Sequence, residues 1–215
     1  MVRAALFDMD GLLLDSERVY AEAVLAVTPS LGYHIPRDLI LECVGITAEA
    51  TDIRYAQENP RFDSKVLRTA MTAWLKERGY DLMIPAKPYA KQILPQLKEH
   101  GFRCALVTSS SLPNVRQHME AVDLFRYFDA VVTGDLGLAS KPSPEVYLRA
   151  IELLGIPAAD CAVIEDSHNG IRAGHAAGTM TIMVPDLVPY NDALASVCDH
   201  VCRNLQEVED ILLCR

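Results

Sequence analysis

No stretch of the 215-residue chain reaches the roughly 18 consecutive apolar residues of a membrane-spanning helix. The chain is also poor in positive charge, with 20 Lys and Arg against 29 Asp and Glu and a formal net charge of -9. Such a surface repels phosphate backbones and anionic lipid headgroups, so neither a nucleic acid nor a membrane is expected as partner. A small phosphorylated molecule stays compatible if cations gather locally. An export signal is equally lacking to the eye, because the N-terminus enters a strand-like run within a few residues. The six cysteines, Cys43, Cys104, Cys161, Cys198, Cys202 and Cys214, are scattered through a chain long enough to build a core without disulfides. They read as reduced thiols of a cytoplasmic protein. Cys198, His200 and Cys202 alternate and would share a face of a strand, but a structural zinc site needs a fourth ligand that the sequence does not supply.

What is present is an ordinary globular composition, 50% hydrophobic and 23% charged. Short apolar runs recur at 4–7, 104–107, 130–132, 161–164 and 180–184, with helical stretches between them. Strands alternating with helices imply right-handed crossovers and a parallel sheet covered on both faces, an α/β fold. The interval 16–85 breaks the alternation. It shows helical periodicity at 17–31, 37–44 and 65–78 and no comparable strand, and the Ile84-Pro85-Ala86-Lys87-Pro88 segment reads as a stiff return linker. The expected organisation is a core of 1–15 and 86–215 with a helical cap of 16–85 inserted after the first strand. A cap at the catalytic edge excludes water and selects substrates.

The first apolar run ends in Asp8-Met9-Asp10-Gly11. Side chains two apart on an extended backbone share a face, so Asp8 and Asp10 converge at the C-terminal end of a strand, where open α/β sheets bind ligands. Two acids that close repel unless a cation or a shared proton lies between them, and a hard cation such as Mg²⁺ is the economical answer. A plain acidic turn and a calcium loop are the competing readings. The calcium loop fails twice, because it needs an acid where Leu6 stands and a helix where the run is strand-like.

Three further clusters follow later strands. Thr108-Ser109-Ser110-Ser111 precedes a helix start, where hydroxyls and free N–H groups serve as N-cap, as phosphate cradle, or as both. Lys141-Pro142-Ser143-Pro144-Glu145 opens a helix, and Lys141 is either a solvated lysine or a charge that neutralises a phosphoryl group or Asp8. Glu165 and Asp166 end the fourth run. Adjacent acids on an extended chain point to opposite sides, so Asp166, nearer the loop, is the direct ligand, with Glu165 acting behind it or through water.

Taken together, Phe7-Asp8-Met9-Asp10-Gly11-Leu12-Leu13-Leu14-Asp15-Ser16-Glu17, Leu106-Val107-Thr108-Ser109-Ser110, Lys141-Pro142-Ser143-Pro144 and Val163-Ile164-Glu165-Asp166-Ser167-His168-Asn169-Gly170 resemble, in order, the four motifs of the haloacid dehalogenase superfamily of phosphatases and phosphomutases. The resemblance covers essentially the whole chain and implies a Rossmann-like core with a small helical cap. It further implies that Asp8 is the nucleophile that becomes an aspartyl-phosphate and that Asp10 is the general acid and base. It has Mg²⁺ held by Asp8, the Asp10 backbone carbonyl and Asp166, with Thr108, the Ser109 amide and Lys141 holding the phosphoryl oxygens. Gly11, Ser110 and the cap residues Gly45 and Thr47 are the other phosphate- or substrate-binding positions it suggests.

Within the superfamily, Asp10 argues against halide chemistry, and neither Lys65 nor Lys76 lies in a recognisable motif for a Schiff-base lysine. The sequence looks closest to sugar-phosphate phosphatases and β-phosphoglucomutase. It departs from the mutase at Tyr20, where a histidine is expected, and at Gly45-Ile46-Thr47-Ala48, which lacks a phosphate-binding arginine. A mutase must grip a second phosphate, so hydrolysis of a small phosphorylated metabolite is the favoured reading. The mutase reading would need Arg18 or Arg54 as a substitute clamp, and a catalytically silent scaffold of the same fold is the remaining alternative. An ordinary aspartate in water has lost its proton at pH 7, so the acid role given to Asp10 requires a cap that closes and dries the site.

Overall fold

The computed structural model describes residues 2–44 and 48–214. Gly45 and Thr47 therefore lie outside the described residues. A parallel sheet runs β3-β2-β1-β4-β5-β6, with β1 at Ala4–Phe7, β2 at Arg103–Val107, β3 at Ala130–Val132, β4 at Cys161–Glu165, β5 at Met180–Met183 and a two-residue β6 at His200–Val201. β1 is uniformly apolar because both of its faces are covered, as parallel strands require. Ala5 and Phe7 face one core cluster and Ala4 and Leu6 the other. On the first face lies α5, Ala90–Glu99, which buries Ala90, Ile93, Leu94 and Leu97 along one stripe of helical spacing. On the second lies α7, Glu145–Leu154, through Val146, Tyr147 and Ala150.

The chain moves to one side of β1 to make β2 and β3 and to the other to make β4 and β5, which puts a topological switch point at β1. Registers are aligned there, Phe7 pairing with Leu106 on one side and Ile164 on the other. Asp8, Val107 and Glu165 therefore stand at one level, and Thr108 follows one residue beyond.

Helices α1 (Ser16–Val27), α2 (Arg37–Glu42), α3 (Ala48–Glu58) and α4 (Ser64–Glu77) build a cluster of their own around Ala21, Val24, Leu39, Ile40, Tyr55 and Leu67. The expected helix at 17–31 ends earlier, at Val27, and continues as a 3-10 turn over Thr28–Leu31. α3 has no counterpart in the periodicity, because Tyr55 is the only residue of Ala48–Glu58 that it buries and an apolar stripe never forms. The passages into and out of this helical unit run side by side. Asp15 N–H donates to Pro85 O at 2.9 Å and Lys87 N–H to Leu13 O at 2.9 Å. The Lys87 ammonium then ties Asp15 (3.3 Å) to Asp186 (2.5 Å), and neighbouring Leu187 packs into the helical cluster. Among the described residues no helix is long and apolar enough to cross a membrane.

Candidate active site

The Asp8 N–H still belongs to the sheet, donating to Ile164 O at 3.1 Å, while its carboxylate leaves the strand end. One oxygen accepts from the Lys141 ammonium at 2.5 Å, and the same ammonium donates to Glu165 Oε1 at 2.6 Å and to Val107 O at 3.1 Å. All three lysine donors are thus spent on fixed partners. Glu165 is fully buried and equally committed, taking the Tyr147 hydroxyl at 2.6 Å on Oε1 and the Ser167 hydroxyl and amide on Oε2. The Lys141–Pro142 peptide bond is cis.

Charge in this nest is unevenly satisfied. Burial pushes the Asp8 carboxyl up to about 8; the Lys141 charge opposes this, and Glu165 and Asp10 add to it. Burial likewise holds Asp166 well above the usual carboxylate range, with Glu165, Asp8 and Glu17 reinforcing. Glu165 goes the other way: burial would raise it, but the Lys141 charge and the hydrogen bonds it receives hold it low. Burial would also lower Lys141, yet the charges of Asp8 and Glu165 keep it firmly protonated. Carboxylate oxygens of Asp8, Glu165 and Asp166 lie within 4.8 Å of one another. Asp10 differs from this group. Its carboxylate accepts from Ser16 Oγ at 2.7 Å, Ser110 Oγ at 2.9 Å and Thr108 Oγ1 at 3.3 Å, which fixes its orientation from three sides.

Two glycines set these distances. Gly11, at φ +80°, presses on Asp166: a Cβ built there falls 2.2 Å from Asp166 Oδ2. Gly11 was expected at the phosphate, and the structure instead puts it against the Asp166 carboxylate and off the cavity wall. A Cβ on Gly170 falls 1.9 Å from the Glu165 carboxyl carbon. Since Glu165 is tied on both oxygens, Gly170→Ala must displace it and loosen Lys141. The expected outcome is a loss of about 1–3 kcal/mol, read as a lower thermal midpoint, with a turnover defect exceeding any change in KM.

A cavity of about 540 Å³ opens above Asp8, within the range of small-molecule sites. Its floor carries Asp8, Asp10, Thr108, Ser109, Ser110, Lys141 and Asp166, and its roof carries Tyr20 and Val24 of α1, Asp52 and Tyr55 of α3, and Leu67 and Arg68 of α4. The floor residues come from four strand ends or the loops that follow them. Ser111, at the N-cap of α6 (Leu112–Ala121), makes no capping bond; the Asp135 carboxylate receives the Leu112 amide instead, leaving Ser109 and Ser110 to the cavity.

A family model for haloacid dehalogenase-like hydrolases matches residues 5–184. The chain belongs to that family. It is 31% identical over 215 residues to hexitol phosphatase B of Escherichia coli K12, covering 96% of this chain and 94% of the relative. It is 32% identical over 185 residues to a phosphorylated carbohydrates phosphatase of Thermotoga maritima, covering 82% of each. A β-phosphoglucomutase-like protein of Thermotoga maritima superposes with a TM-score of 0.79 at 27% identity over 99% of this chain and 98% of that one. Hydrolase chemistry comes with the haloacid dehalogenase-like family, and so does the Rossmann-like α/β fold that the sequence led us to expect.

For this hydrolase the substitute phosphate clamp that a mutase reading would need is not at the cavity. Arg18 is engaged by Asp15 and Glu22, and Arg54 by Glu42 and Glu58, all on the surface, and neither lines the cavity. Lys65 and Lys76 are also absent from its wall. Cys198, His200 and Cys202 do not gather as metal ligands; Cys202 is buried, while the Cys198 thiol donates to the His200 carbonyl. Conversely, sequence reasoning gave no role to Tyr147, Glu17, Asp52 or Arg68. Tyr147 bonds Glu165 across 18 residues of chain, a pairing no spacing rule reveals. Glu17 closes the first motif; burial pushes its carboxyl up to about 7, with Asp10 and Asp186 adding and Lys87 opposing.

Proposed function

We propose that this hydrolase is a Mg²⁺-dependent phosphatase of small phosphate monoesters, sugar phosphates or similar metabolites, working through an aspartyl-phosphate on Asp8. The observation that carries the reading is the Asp8 carboxylate itself. It stands at a cavity floor, aimed by Lys141, among acids whose charge the protein's own cations only partly offset.

The residues fit a hard divalent cation. Oxygens of Asp8, Glu165 and Asp166 converge, and burial leaves Asp8 and Asp166 reluctant to ionise unless positive charge arrives. Asp8, Asp166 and the Asp10 backbone carbonyl would hold it, with Glu165 behind them because Lys141, Tyr147 and Ser167 already occupy both its oxygens. When bound, the ion supplies charge that brings nucleophile and phosphoryl oxygens together.

In the first step an Asp8 oxygen attacks phosphorus, the ester P–O bond breaks, and the leaving alkoxide takes a proton from Asp10. In the second, Asp10 takes a proton from water as that water's oxygen attacks the same phosphorus, which frees phosphate and restores Asp8. The hydroxyls of Ser16, Ser110 and Thr108 hold Asp10 in place for both transfers. Thr108 and Ser109 receive the phosphoryl oxygens as their charge shifts, and Lys141 adds positive charge from its place against the Asp8 oxygen. The helical unit over the cavity acts as the cap that excludes water, and the free thiols suit the cytoplasm.

A phosphate-release screen over sugar, nucleotide and glycolate phosphates tests the reading. Chelation with EDTA is expected to cut release on the order of 100-fold or more, and added Mg²⁺ to restore it. Release indifferent to chelation contradicts the metal dependence. Conversion of β-glucose 1-phosphate to glucose 6-phosphate is expected to stay at background, because a mutase must hold a second phosphate and, among the described residues, no cavity-lining cation of the cap is free of a carboxylate partner.

A further inference from the structure

We propose that the cap wall restricts the enzyme to monophosphates whose non-reacting part is uncharged, and that Asp52 enforces this by keeping Arg68 from serving as an anion receptor. The inference rests on the phosphatase reading above and adds the class of leaving group and the residues that choose it.

The charges lining the cavity divide by location. Among the described residues five carboxylates line it, Asp8, Asp10, Glu17, Asp52 and Asp166, against two cations, Lys141 and Arg68. Lys141 is spent on the floor, where its donors meet Asp8, Glu165 and Val107. Asp8, Asp10 and Asp166 belong to the floor as well. Glu17 also belongs low in the cavity, since its side chain packs with Asp166 around Gly11. What remains of the charged lining for the end of the substrate away from phosphorus is Asp52 and Arg68, which are ion-paired and so form a neutral pair.

A second phosphate or a carboxylate arriving here would meet Asp52 and an Arg68 already paired to it, and the apolar side chains Val24, Ile40, Leu67 and Met71 offer it nothing in exchange for lost water. A polyol or sugar meets the opposite situation. Carboxylates accept hydrogen bonds from hydroxyls, and Thr51, Tyr20 and Tyr55 add hydroxyls of their own to the wall. The pair is also adjustable. Asp52 and Arg68 are partly exposed, with side-chain accessibilities of 27% and 53%, so the fold does not depend on it. Removing Asp52 frees the guanidinium of a residue that lines the cavity, and a guanidinium is the side chain best shaped for carboxylate or phosphate.

The experiment compares glucitol 6-phosphate with gluconate 6-phosphate, which differ only in a hydroxymethyl or a carboxylate at the far end. With Mg²⁺ present, wild-type kcat/KM is expected to favour glucitol 6-phosphate at least tenfold. Asp52→Asn is expected to shift the gluconate-to-glucitol ratio at least tenfold toward gluconate, Asp52→Ala to do the same, and adding Arg68→Gln to either to cancel the shift. A wild-type ratio within threefold of unity, or Asp52 variants that leave the ratio where it was, overturns the proposal. The same ligands are titrated calorimetrically into the Asp8→Asn protein with Mg²⁺, which reads discrimination without turnover. Selective binding without hydrolysis by the wild type would remove the phosphatase reading and keep the specificity. Hydrolysis of both esters at equal kcat/KM with equal affinities would remove the specificity and keep the phosphatase.

Discussion

Asp8→Asn is expected to lower phosphate release from every substrate by about 10⁴-fold or more, because an amide cannot accept the phosphoryl group that a carboxylate carries. The variant should fold, since the amide keeps the shape that Lys141 and the strand end fit. Residual release near the wild-type rate would sink the covalent mechanism. The same substitution has a second, opposite effect on stability without metal. In the folded metal-free chain Asp8 holds its proton up to about 8, whereas in the unfolded chain it releases it at its ordinary value of 3.8. Below 3.8 the two states bind the same proton and Asp8 contributes no pH dependence. Between 3.8 and about 8 the folded state keeps a proton that the unfolded state has shed, so stability falls as pH rises. Asp166, also raised, works in the same direction. Metal-free wild-type protein is therefore expected to melt lower at pH 8 than at pH 5. Mg²⁺ should recover more at pH 8 than at pH 5, and metal-free Asp8→Asn should lose less than wild type over that interval. A metal-free melting midpoint flat across pH 5–8 would contradict the assignment of Asp8 as a buried, under-neutralised acid.

Lys141→Met is expected to be the most destabilising single change in the site. The side chains of Lys141 and Asp8 are each 9% accessible and that of Glu165 is fully buried, so removing the ammonium strands the ionised Glu165 and takes a hydrogen-bond partner from Asp8. Losing one partner of such a cluster costs about 3–5 kcal/mol, visible as a shifted denaturant midpoint, and turnover should fall with it. Adding Glu165→Gln is expected to return part of that loss, because it removes the stranded charge, and the double variant should deviate from additivity by about 1 kcal/mol or more. Strict additivity would mean that Lys141 and Glu165 do not act on each other through their 2.6 Å contact.

The order of core elements was legible because β1, β2 and β4 are apolar on both faces and end in polar residues, which makes both their location and their exits visible in one dimension. The convergence of Asp8, Thr108, Lys141 and Asp166 followed from topology alone, since every parallel strand ends on the same edge. α3 was not legible because a helix that buries only Tyr55 has no periodic stripe to read. Tyr147 was invisible for a different reason. On α7 it is one more apolar residue in the stripe, and only the packing of that helix against the sheet turns its hydroxyl to Glu165. Arg68 and Asp52 sit 16 residues apart on separate helices, so their pairing, and the silence of Arg18 and Arg54 at the cavity, depend on how the helices cross.

The antiparallel bridge between Leu14 and Ala86 brings the start and finish of a long helical insertion to the same place. An insert whose two ends touch spans no gap, so exchanging it for one of another length leaves the strands on either side undisturbed, and lengthening it adds little closure entropy. On the proposed reading, recognition and bond-breaking would then be written on separable stretches of one gene. A lineage can redraft the first while inheriting the second intact.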